Sequence, residues 1–105
     1  MKISAEENKV IDEALSVLGT KECIERFARK YSSAVAIIRE NERKMTRGSI
    51  RAAQEEIGEL RVAVETMAMF FGADDVEKYT GRAIDILRLK IRLRKVDEPI
   101  HDVVK

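Results

Sequence analysis

Apolar residues recur along this chain at the three- and four-residue spacings of α-helices, and the longest unbroken seam runs from Ile50 to Phe71. Ile50, Ala53, Ile57, Leu60, Val64, Met67 and Phe71 alternate those spacings, so one long helix carries a continuous apolar line against which the other elements must pack. Ala52, Ala63 and Phe70 widen the line on one side. Upstream, Ser4 and Glu7 spell a capping box, and Val10, Ile11, Ala14, Leu15 and Leu18 share a face until Gly19, which predicts a helix over roughly 5–18. Thr20 is the expected cap of a second helix over roughly 21–44, with Ile24, Phe27, Ala28, Tyr31, Ala34, Val35 and Ile38 as its buried face. Thr46-Arg47-Gly48-Ser49 reads as a turn before the seam helix, roughly 50–71. Gly72 ends that helix, and Asp74 with Glu77 opens a fourth, roughly 75–95, whose inner face is Val76, Tyr79, Ala83, Ile84, Leu87 and Ile91. A tail from 97 to 105 holds Pro99 and His101, and either frays or docks on a second copy. The expected fold is all-α: one domain over 1–105, a four-helix antiparallel bundle with the second and third helices as its central hairpin.

Composition agrees and adds a constraint. Apolar residues make up 45% and charged residues 37% of the 105 positions, with one proline and no tryptophan, which suits a helix bundle better than a β-sandwich. A chain this short buries a modest core unless copies associate, so a homo-oligomer, dimer or tetramer, is expected. The net charge of +1 supplies no global field toward nucleic acid or membrane. One cysteine builds no intrachain disulfide, and Met1-Lys2-Ile3-Ser4-Ala5-Glu6-Glu7 has no apolar signal core, so a cytoplasmic protein is expected.

The candidate chemistry lies in Glu55-Glu56-Ile57-Gly58-Glu59. Glu56 falls inside the widened apolar arc, Glu59 at its edge and Glu55 further out, where Arg51 can pair with it one turn away. On the second helix Lys30 sits on the flank of the apolar arc, between Cys23 and Ile37. The two flanks can face each other, so Lys30 is expected to reach Glu56. If that pair is buried, removing one partner costs about 3–5 kcal/mol. Glu22 and Glu25 also spell ExxE, but they suit the first turn of a helix, where acids favour the dipole. The last helix is rich in bases, with Lys78, Arg82, Arg88, Lys90, Arg92, Arg94 and Lys95. Cys23 reads as a small core residue, and His101 has no carboxylate or second histidine at ligand spacing.

The hairpin, the acidic cluster and the stretch from Val76 to Leu93 with Arg82, Asp85 and Arg88 together resemble the all-α nucleoside triphosphate pyrophosphohydrolases of the MazG-like type, especially short phage-borne forms. The resemblance covers about residues 8–95. It implies magnesium held between two helices by an ExxE pair and an ExxD pair, and hydrolysis of a nucleotide to a monophosphate and pyrophosphate. Glu56 and Glu59 match the second pair. Lys30 and Ser33 stand where the first pair's glutamates belong, and an ammonium group repels a metal ion and offers it no lone pair.

The expected reading is therefore a degenerate site: no cofactor, hydrolysis lost, and the scaffold kept as a nucleotide-binding or protein-interaction module. Arg82 and Arg88 are the candidate phosphate contacts, Arg82 because the resemblance implies a basic residue near phosphate there. One alternative is an active magnesium-dependent pyrophosphohydrolase using Glu55, Glu56 and Glu59, with any metal on Glu56 and Glu59. Another is a helical adaptor that binds nucleic acid through its basic last helix, although net charge does not favour that partner.

Overall fold

A computed structural model describes residues 4–97, and the tail with Pro99 and His101 lies outside them. The described chain is all-α: α1 (Ala5–Leu18), α2 (Thr20–Arg43), α3 (Arg47–Phe71) and α4 (Ala73–Asp97), with no strand among these residues. No described helix is long and apolar enough to cross a membrane. The chain divides into two compact units, one ending at Ala73 and holding α1 to α3, the other beginning at Asp74 and holding nearly all of α4.

Each helix start has a local cause. Before α1, the Glu7 backbone N–H donates to Ser4 Oγ at 3.1 Å and the Ser4 N–H donates to Glu7 Oε1 at 2.9 Å, a complete capping box. The Ser4 backbone N–H, with its hydroxyl, holds the Glu7 carboxyl below its ordinary value. Gly19 serves both neighbours: its N–H donates to Leu15 O and its carbonyl accepts from Cys23 N, each at 3.1 Å. Its φ of 85° is a conformation that side-chain-bearing residues avoid. Thr20 is thus the first residue of α2 and not its cap, because the glycine's backbone makes the turn with no side-chain bond.

The expected turn at residues 46–49 is shorter than its composition suggests. Thr46 caps α3 by accepting from Ser49 N at 3.1 Å, while Ser49 Oγ accepts from Thr46 N at 2.8 Å, so Arg47, Gly48 and Ser49 are already helical. Helix α4 likewise starts directly after Gly72 (φ 108°), which places Asp74 inside the first turn, where its charge suits the helix dipole.

Within the first unit, α2 and α3 make the most extensive contact, and α1 packs on both. The buried apolar residues among those described are mostly small: Ile11, Cys23, Ala34 and Ala68. Helix α3 turns Ala52, Ala53, Glu56, Leu60, Ala63 and Met67 inward, and Ile50, Ile57 and Val64 remain 40%, 44% and 43% exposed. The inner arc is therefore rotated from the expected seam toward Ala63 and Glu56, because the alanines on that flank let neighbouring helices approach closely. Tyr31, Ile24 and Ile38 of α2, expected in the core, are exposed as well. Buried Thr66 donates its hydroxyl to Val62 O at 2.8 Å, which satisfies it within its own helix.

The α2–α3 link is fastened by Asn41. Its Nδ2 donates to Ile37 O at 3.0 Å and to Ser49 O at 2.9 Å, and Ser49 Oγ donates to its Oδ1 at 3.0 Å. A half-buried amide thus ties the last turn of α2 to the cap of α3. Asn41→Ala should lower unfolding free energy by about 1 kcal/mol, since it removes the side-chain bonds that tie α2 to the start of α3. Urea unfolding measures it, and a change within error would show that the turn holds without the amide.

Candidate functional site

Two antiparallel helices bring the acidic cluster of α3 beside the middle of α2. Bonded pairs fix their register, Asn41 with Ser49 near the link and Lys30 with Glu59 two to three turns further on. Lys30 Nζ donates to Glu59 Oε2 at 3.1 Å. The ammonium does reach the acidic cluster, but the carboxylate it meets is Glu59 and not Glu56. Lysine is long enough to span a helical turn, and it extends to the wetter edge of the arc, where its charge keeps water: the side chains remain 34% and 52% exposed.

Glu56 takes the inner position. It is half-buried, and its Oε2 is buried without a hydrogen-bond partner among the described residues. Glu55 points outward and accepts from Arg51 Nε at 3.3 Å, one turn away. Ser33 is exposed on α2. Glu22 and Glu25 are exposed in the first turns of α2. Among the described residues no three His, Cys, Asp or Glu side chains come together as a metal site.

Both candidate phosphate contacts on α4 already have partners on that helix. The Arg82 guanidinium lies over the Tyr79 ring, 5.3 Å from its centroid, and Arg88 Nη1 donates to Asp85 Oδ1 at 3.3 Å. The structure adds a groove that sequence reasoning did not find. It has a volume of about 390 Å³ among α1, α2 and α3, with Val10, Ile11, Ala14 and Val62 on its apolar walls and Arg26, Lys30 and Glu59 supplying charge. Arg26 lies four residues before Lys30, so both cations share one helix face, a spacing that the sequence already contains. Cys23 also lines the groove; its thiol is buried and directed at Ala14 O, 3.9 Å away.

Whether magnesium suits these residues can be asked of their donors. The ion needs several hard oxygen donors in near-octahedral array. Glu56 offers one oxygen without a partner, Glu59 is held by an ammonium, and Glu55 is turned to Arg51. These residues do not fit the ion. Compared with protein-family models, curated proteins and solved structures, the chain matches none.

A double-mutant cycle of Lys30→Met and Glu59→Gln should give a coupling below about 1 kcal/mol that shrinks with added salt, as solvated pairs do. A salt-insensitive coupling of about 3 kcal/mol or more would mean that the pair is desolvated.

Proposed function

We propose that the chain is a self-associating helical interaction module of the cytoplasm, built on a scaffold resembling the MazG-like pyrophosphohydrolases but without their metal-dependent hydrolysis. The observation that carries this reading is the outer face of the α2–α3 hairpin. Ile24, Tyr31 and Ile38 stand seven residues apart on α2, and Ile50, Ile57 and Val64 seven apart on α3, all exposed. In the antiparallel register set by Lys30–Glu59 and Asn41–Ser49, these residues come level as Ile38 with Ile50, Tyr31 with Ile57, and Ile24 with Val64. Both rows lie on the same side of the hairpin, which makes a contiguous apolar face of the kind that marks an interface. Even spacing lets the face mesh with a second copy of itself turned end for end.

The Lys30–Glu59 pair supports the loss of hydrolysis, because it sets an ammonium group against a carboxylate that the resemblance assigns to magnesium. A nucleotide ligand fits the same reading in the groove beside Arg26 and Lys30, whose cations suit phosphate. The rival reading, a magnesium-dependent pyrophosphohydrolase using Glu55, Glu56 and Glu59, is favoured by one observation, the partnerless Glu56 Oε2. The engagement of Glu55 by Arg51 and of Glu59 by Lys30 weighs against it.

In sedimentation equilibrium the protein should have a mass at least twice the 12.0 kDa of one chain, and a mass of 12.0 kDa would overturn self-association. Tyr31→Glu/Ile57→Glu should halve that mass while helical circular dichroism is retained; an unchanged mass would remove the hairpin face from the interface. Incubation with magnesium and the common nucleoside triphosphates should release no pyrophosphate. Magnesium-dependent release that vanishes in Glu56→Gln would overturn the non-hydrolytic reading.

A further inference from the structure

The groove among α1, α2 and α3 divides its chemistry between the helices. Helices α1 and α3 supply apolar walls through Val10, Ala14, Leu18, Val62 and Ala63, and α2 supplies a cationic edge through Arg26 and Lys30, one turn apart. Val10, Leu18 and Val62 remain exposed, so the three helices leave apolar surface in water beside that edge.

Charge limits what the edge accepts. Lys30 is engaged by Glu59, whereas Arg26 forms no ion pair among the described residues. Two cations against one carboxylate leave one unit of positive charge, which matches a monoanion, while a triphosphate would set its several charges near Glu59. The floor makes a second selection. The Thr66 hydroxyl donates to Val62 O at 2.8 Å and the Cys23 thiol is directed at Ala14 O, so neither donor is free. Among the described residues no aromatic side chain lines the groove. A nucleobase would therefore bury polar atoms there without partners and without a ring to stack on. A saturated hydrocarbon has no polar atom to satisfy and gains from each apolar wall that it covers.

We propose that this groove binds an aliphatic monoanion, a medium-length hydrocarbon chain with a carboxylate head. The chain covers Val10, Leu18 and Val62, and the carboxylate meets the Arg26 guanidinium, whose planar fork can hold both oxygens. Lys30 stays with Glu59 and borders the head. A volume of about 390 Å³ lies in the range of small-molecule sites. The inference names the ligand class of the groove described above and rests on the binding part of that reading, not on self-association.

Calorimetric titration of the full chain with octanoate, below its micelle concentration, tests it against octanol and ATP. Octanoate should bind saturably, and octanol, the same chain without the charge, should bind more weakly. Arg26→Gln should weaken octanoate about fivefold, the scale of a solvated ion pair, and leave octanol unchanged. Val62→Glu, at an exposed position, should abolish binding of both with helical circular dichroism retained. Equal octanoate binding by the parent and Arg26→Gln would show that the head is not read, and full binding by Val62→Glu would place the ligand elsewhere. Either result overturns the proposal. ATP binding as tight as that of octanoate, and lost in Arg26→Gln, overturns it while the nucleotide reading stands. If neither ligand binds, both fall.

Discussion

The antiparallel register of α2 against α3 is the constraint on which the rest depends. Asn41 sets it at the link, where one amide satisfies Ile37 O and Ser49 O and accepts from Ser49 Oγ. Lys30 meets Glu59 further along. Slipping either helix by a turn would break the Asn41–Ser49 bonds and move the ammonium off its carboxylate. The same register lines up the exposed residues of the two helices, so the ionic contact and the apolar outer face follow from one alignment.

Packing explains why so much apolar surface is left over. The buried residues of the hairpin are largely alanine and cysteine, which permit close approach but supply little area. Larger side chains flank that contact instead of filling it: Tyr31, Ile38, Ile57 and Val64 line one edge. In a chain of 105 residues such an arrangement reaches ordinary stability most readily when a further layer covers those edges.

Much of this was legible in the sequence, and the failures have physical causes. Helix number and the Ser4–Glu7 box follow from periodicity and capping chemistry, which are local. Periodicity gives the widened apolar arc of α3, with Ala52, Ala63 and Glu56 inside it, but not its centre; contact with neighbours, which periodicity does not encode, selects the alanine flank over Ile50, Ile57 and Val64. Lys30 was expected at Glu56 and meets Glu59, one turn away on the same helix and within reach of a long, flexible side chain. Thr46 and Ser49 looked like turn formers because the same hydroxyl chemistry starts helices and makes turns. The Asn41 tie had a faint signal, an amide in a charged run eight residues before Ser49, but its bonds depend on how the two helices meet.

Lys30 sets an ammonium group against Glu59 between α2 and α3, and we propose that this pair keeps a divalent ion from the acidic cluster. Calorimetric titration of magnesium into the native protein and into Lys30→Glu/Ser33→Glu, which returns two carboxylates to α2, tests it most directly. The native chain should show no saturable uptake and the variant measurable uptake. Magnesium binding by the native chain as tight as that of the variant would contradict the proposal.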